Sequence, residues 1–135
     1  MTYLLDTHII LWTLFDPSKL PDRIKELLIS ENDKKIVSSI NLWEISLKYS
    51  LGKLYFENLN PEQISEKISE SGFEIEDIPS MIFSSYYKLP KKDDHKDPFD
   101  RMLIWYAIQK NYTLISRDSK ISQYIGNGLN LTQAW

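Results

Sequence analysis

Tyr3-Leu4-Leu5-Asp6-Thr7-His8 is the stretch whose reading decides the fold. Three apolar residues in succession, closed by an acid, form the pattern of a short strand buried on both faces. A helical stretch follows at once, from about His8 to Phe15, and Asp16-Pro17 closes it. A strand that runs into a helix instead of a second strand predicts a crossover connection and a parallel neighbour.

The same alternation continues outward from that opening. Pro21 suits a first helical position, with Ile24, Leu27 and Leu28 on one apolar face. Ile36-Val37-Ser38 reads as a second strand, and Ser39 is placed to cap a helix carrying Trp43, Glu44, Leu47 and Lys48 as far as Gly52. Asn60-Pro61-Glu62-Gln63 is a capped helix start, with Ile64 and Ile68 inward and Gly72 as the stop. Phe73 and Ile75 alternate with acids, as in a strand. A helix is expected from about Ser80 to Lys88, stopped by Pro90, and Lys91 to Lys96 is a charged loop. Asp97-Pro98 opens a further helix that ends near Asn111. Thr113-Leu114-Ile115-Ser116 is the clearest late strand, and Leu129 to Leu131 form a weak last one. The pattern is α/β, with a mostly parallel central sheet of about five strands covered on both faces.

Composition sets the outer bounds. The 135 residues make one domain, 1–135, with apolar residues at 42% and aromatics at 13%, enough for a core. The chain has no cysteine, which excludes disulfides and thiolate zinc sites and suits a reducing, cytoplasmic setting. No run approaches the roughly 18 apolar residues of a membrane span, and Asp6 and His8 break the opening apolar run, so neither membrane nor signal segment is expected. The net charge of −3 argues against a binder that relies on phosphate neutralisation. It argues less against a nuclease, whose clustered acids lower the net charge and whose bound metal reverses their local sign.

Ligands of such sheets bind beyond the carboxyl ends of the strands, near a reversal in strand order. Asp6 ends the first strand and Asp118 lies just past the late one, so both point at one rim if the strands are parallel. Glu44, in the second turn of the helix after strand two, starts from the same rim, and Asp100 lies in the first turn of the helix before the late strand. Four acids on one rim require a cation, and oxygen ligands without cysteine or paired histidines favour Mg²⁺ or Mn²⁺. Each residue also has an ordinary reading. Asp6 can cap the following helix, Glu44 can form a surface ion pair with Lys48, Asp100 can complement the helix dipole, and Asp118 can close an Asx turn. Asp97 reads as the structural cap of its helix. His95 reads as a solvated loop residue and His8 as packing at a helix start.

The ordered blocks Tyr3-Leu4-Leu5-Asp6-Thr7-His8 with Leu11-Trp12, Ser38-Ser39 with Leu42-Trp43-Glu44-Ile45, Asp97-Pro98-Phe99-Asp100-Arg101, and Leu114-Ile115-Ser116-Arg117-Asp118 with Trp135 resemble a bacterial PIN domain. Within that family the pattern is similar to VapC-type toxins of type II toxin–antitoxin systems. The resemblance implies a three-layer α/β/α fold, a Mg²⁺ or Mn²⁺ site, endoribonuclease activity on an RNA substrate, a homodimer and an antitoxin partner. By position it assigns the family's acids to Asp6, Glu44, Asp100 and Asp118, choosing Asp100 over Asp97. It places Ser116 where a Ser or Thr orients water, and leaves Arg117 and Lys48 as candidate phosphate contacts. Trp105-Tyr106 are bulky where relatives carry small residues, which implies altered helix packing or an altered dimer surface. Leu11, Trp12 and Phe15 are the expected antitoxin-docking groove. Other readings of the same fold are a nuclease acting on DNA, a processing nuclease without a toxin role, and a non-catalytic binding module. An aspartyl phosphatase wants a second acid where His8 stands, and a receiver domain wants an acid pair near the first strand; the chain has neither.

Overall fold

In the computed structural model, which describes residues 1–132 and Trp135, the opening run is a strand that feeds a helix directly. Strand β1 spans Thr2–Leu5 and helix α1 spans Thr7–Phe15. Helix α2 (Asp22–Ile29) leads to β2 (Lys34–Ser38), then α3 (Ser39–Ser50), α4 (Pro61–Glu70) and β3 (Glu74–Glu76). Helices α5 (Ser80–Ser85) and α6 (Pro98–Lys110) precede β4 (Thr113–Ile115), and β5 (Asn130–Thr132) closes the sheet.

The strand order is β3-β2-β1-β4-β5, and all four pairings are parallel. The chain moves from β1 outward to β2 and β3, then returns past β1 to β4 and β5. The order therefore reverses between β1 and β4, which is where ligand crevices form in open parallel sheets.

The period of two in strand side chains divides the core between the two faces. Leu4, Ile36 and Leu114 face one cluster, with Met102 to Ala107 of α6, Ile121, Tyr124 and Leu129. Leu5, Val37 and Ile115 face the other, with Ile9, Ile10, Ile24, Leu28, Ile64 and Ile68 from α1, α2 and α4. Helix α3 serves both, through Ile40 on one side and Ile45 on the other. Three layers result, α/β/α. Helix α6 is buried from Arg101 to Ala107 without interruption, and Trp105 and Tyr106 lie inside this core. Their bulk therefore acts on helix packing, and the dimer-surface reading does not apply to them.

Several boundaries differ from expectation for local reasons. Ser38, not Ser39, caps α3: Asn41 Oδ1 accepts from the Ser38 N–H and Oγ, each at 2.9 Å. The Ser39 hydroxyl accepts instead from the Ile78 N–H at 3.1 Å. Pro21 is the residue before α2, and the expected helix to Lys88 finishes as a 3₁₀ turn, Tyr86–Lys88. A 3₁₀ segment, Ser119–Asn127, fills the stretch between β4 and β5 to which the sequence assigned no element. Among the described residues no helix is long and apolar enough to cross a membrane.

Candidate active site

The strand register sets two of the acids side by side. Leu5 of β1 is level with Ile115 of β4, so Asp6 and Ser116 leave the sheet together at the reversal. Asp6 is 4% exposed. Its carbonyl accepts the first N–H groups of α1, from Ile9 and Ile10, but its side chain makes no capping hydrogen bond. Ser116 Oγ donates to Asp6 Oδ2 at 2.7 Å, while Oδ1 is buried with no hydrogen-bond partner among the described residues. An orphaned buried carboxylate oxygen is costly, so capping does not account for this residue.

Ser116 Oγ also accepts from the Asp118 N–H at 3.1 Å, which ties the fourth acid to the first. The Asx turn read for Asp118 is made with one oxygen: Oδ1 accepts from the Lys120 N–H at 2.9 Å and caps the 3₁₀ segment. The other oxygen, Oδ2, faces Asp100 and His95 across the rim. At the start of α6, Asp97 Oδ1 accepts from the N–H groups of Phe99 and Asp100, the capping role read for it. Asp100 is thereby relieved of capping and faces the cluster.

Burial first, then the charges of Asp6, Asp97, Glu44 and Asp118, push the Asp100 carboxyl up to about 8. Asp6 is raised as well, by burial above all, against the Ser116 hydrogen bond that favours its ionised form. Both shifts arise first from burial, to which the neighbouring acids add.

Glu44 is held from both ends. Thr7 Oγ1 donates to Oε1 at 2.5 Å, and Lys48 Nζ lies 2.6 Å from Oε2. Thr7 in turn accepts from Asn41 Nδ2 at 2.9 Å, and Asn41 also donates to the Leu5 carbonyl. The ion pair with Lys48 is made, but it is not the surface pair the spacing suggested, because the Glu44 side chain is only 3% exposed. Thr7 and Asn41 escaped sequence reading. The signal for Asn41 was present in the Ser38-to-Asn41 capping-box spacing, whereas nothing local marked Thr7.

Both histidines depart from expectation. His95 is 5% exposed rather than solvated. Its Nδ1 lies 2.9 Å from the Tyr124 hydroxyl, and its Nε2 stands 3.6 Å from Asp100 Oδ2 and 3.7 Å from Asp118 Oδ2. His8, read as packing, is exposed instead. It lines an open cavity of about 450 Å³ with Asp6, Trp12, Asp100, Arg117, Asp118 and Ser119. Arg117 is exposed there, its guanidinium 5.7 Å from the Trp12 ring centroid. Of the residues singled out by sequence, the fold brings Asp6, Asp100, Arg117, Asp118 and Ser116 to this cavity or its floor. Lys48 is spent on Glu44. Of the expected docking groove, Phe15 stacks on Phe56, and Leu11 and Trp12 are partly buried.

A parallel sheet with buried acids gathered at its order reversal defines a class of α/β proteins built around an acidic crevice. The PIN domain family model matches residues 3–126, and the chain belongs to that family. Among solved structures it is similar to VapBC2 from Rickettsia felis bound to a promoter DNA fragment, at 25% identity and a TM-score of 0.70, covering 98% of each chain. VapBC-1 from nontypeable Haemophilus influenzae is similar at 25% identity and a TM-score of 0.69, covering 99% of this chain and 98% of that one. DNA-bound VapBC from Salmonella typhimurium shares the fold at 20% identity and a TM-score of 0.67, covering 100% and 99%. No curated relative matches the sequence.

Proposed function

We propose that the chain is a divalent-metal-dependent endoribonuclease and the toxin member of a toxin–antitoxin pair. The observation that carries this reading is Asp6: a buried carboxylate with one oxygen left without a partner, set beside Asp100 in an open crevice. Oxygen donors of this kind fit Mg²⁺ or Mn²⁺. Asp6, Asp100 and Asp118 would hold the ion. Once bound, it would neutralise the acids, make a water more acidic and stabilise charge on the leaving oxygen.

The chain's own residues do the rest. Ser116 orients Asp6 through Oδ2 and leaves Oδ1 free for the site. Thr7 and Lys48 engage both oxygens of Glu44, which suits a role in orienting water or the other acids. Arg117, exposed on the cavity wall, is the candidate phosphate contact, and Lys48 is the weaker one because Glu44 occupies it. The adjoining cavity of about 530 Å³ is lined by Lys91, Lys92 and Lys96, so cationic surface lies beside the crevice despite the net charge. In the reaction water adds to phosphorus and the P–O3′ bond breaks, leaving a 5′-phosphate and a 3′-hydroxyl. Similarity to VapBC2 and VapBC-1 supports an antitoxin partner, while the homodimer and the cytoplasmic setting follow from the family resemblance of the sequence.

Side-by-side RNA and DNA substrates with Mg²⁺, Mn²⁺ or EDTA test the proposal. We expect RNA cleavage that EDTA abolishes and that Asp6→Asn lowers by more than the ~10- to 100-fold that loss of an outer-sphere partner costs. Cleavage of DNA in preference to RNA, or activity indifferent to EDTA, would sink it.

A further inference from the structure

Arg101 of α6 runs beneath the acids as a buried donor. Its Nε donates to the Tyr86 hydroxyl at 2.9 Å, Nη1 to the Tyr124 hydroxyl at 2.9 Å and the Pro90 carbonyl at 3.0 Å, and Nη2 to the Leu89 carbonyl at 3.2 Å. A guanidinium has no acceptor, so the Tyr124 oxygen accepts from Arg101. Tyr124 is fully buried, and the other partner of its hydroxyl among the described residues is His95 Nδ1 at 2.9 Å. In a neutral ring Nδ1 is the acceptor that pairs the phenolic proton, since two acceptances by Tyr124 would leave that proton buried without a partner among the described residues. A neutral imidazole whose Nδ1 accepts carries its proton on Nε2, and a protonated ring carries one there too. In either charge state Nε2 is an N–H donor with no lone pair for a metal.

That N–H is buried, has no hydrogen-bond partner among the described residues, and stands between Asp100 and Asp118 at 3.6 and 3.7 Å. One atom each of His95, Asp100 and Asp118 lies within 4.8 Å of the others, which resembles a three-residue metal site. Pairing the phenolic proton argues against the imidazole as a ligand there. Resting on the nuclease reading above, we infer that His95 is a positioning residue, set by Arg101 and Tyr124 to present Nε2–H to the Asp100 and Asp118 carboxylates and not to bind the ion itself. The ligand set stays all-oxygen, which favours Mg²⁺ and Mn²⁺; an imidazole ligand would draw the site toward zinc.

Nitrogen-15 NMR of metal-free protein labelled at its two histidines reads the tautomer directly. We expect a protonated Nε2 and an accepting Nδ1 at His95, with the preference relaxed in Tyr124→Phe; a bare Nε2 overturns the proposal. Pulsed EPR of the Mn²⁺-loaded protein should lack a directly coordinated nitrogen, and a coupling abolished by His95→Gln would refute it. By calorimetry, His95→Ala should weaken Mn²⁺ binding by about 10- to 100-fold, the scale for loss of an outer-sphere partner. His95→Gln, which retains an N–H donor, should keep most of the affinity, and equal loss in both variants overturns positioning. Should His95→Ala fail to fold, the wild-type spectra still decide. Tautomer and nitrogen-coupling results as expected, without RNA cleavage, would reject the nuclease reading alone; cleavage with nitrogen-ligated Mn²⁺ would reject the His95 role alone.

Discussion

Asp100→Asn should make the metal-free protein more stable, by an amount that grows with pH. Its carboxyl is raised from 3.8 to about 8, by burial and then by Asp6, Asp97, Glu44 and Asp118. The folded state therefore binds this proton more tightly than the unfolded chain. The group's stabilising contribution is complete below pH 3.8, falls as pH rises, and is lost above about 8. At pH 7 the span above the ordinary value corresponds to about 4 kcal/mol as an upper limit, at about 1.4 kcal/mol per pH unit. The acids share protons and the side chain is 18% exposed, which brings the expected gain of the neutral amide to roughly 1–3 kcal/mol. For a chain of this size that is a rise in Tm of at least about 3 °C. Thermal melts in EDTA at pH 5 and pH 8 give the comparison. A gap between variant and wild type that shrinks toward pH 8, or a variant less stable at both, would refute the electrostatic account.

Metal should narrow this gap: Mn²⁺ at a hundred times its Kd adds about 2.7 kcal/mol to the wild type and less to Asp100→Asn, read from the same melts. Ser116→Ala removes the donor that favours ionised Asp6 and the acceptor for the Asp118 N–H, so Mn²⁺ affinity should fall by about 10-fold or more in calorimetry. Thr7→Val leaves Glu44 Oε1 buried without its donor and should cost about 1–3 kcal/mol in urea denaturation. Tyr106→Phe should cost only about 1 kcal/mol in the same assay, because the Tyr112 hydroxyl still donates to Glu76.

The fold was legible because its cues are local. Doubly buried strands show as continuous apolar runs, and capped helices between them force parallel crossovers, so element order and layer count follow from neighbours in the chain. Boundaries moved where two adjacent side chains compete for one role, as Ser38 and Ser39 do at the start of α3. Asp6 and Asp118 were expected at one rim from strand ends, whereas Asp100, in the first turn of a helix, was assigned through the family resemblance; each also had an ordinary local reading.

Sequence by itself thus determined the parallel α/β framework and the placing of Asp6 and Asp118 at its rim, since hydrophobic period and strand polarity specify which residues leave the carboxyl ends, while Glu44 and Asp100 were assigned by the family resemblance. Only the tertiary structure decided what each side chain does there. Asp6 keeps one oxygen unpartnered because Ser116, 110 positions away, takes the other. Glu44 is buried and doubly held because Thr7 crosses from α1. His95, in a loop that reads as charged and solvated, is drawn inward because Tyr124, 29 positions later, offers it a hydroxyl beside Arg101. Hydrogen bonds between residues that far apart leave no periodic trace in the chain, so their partners become visible only once the sheet has brought them together.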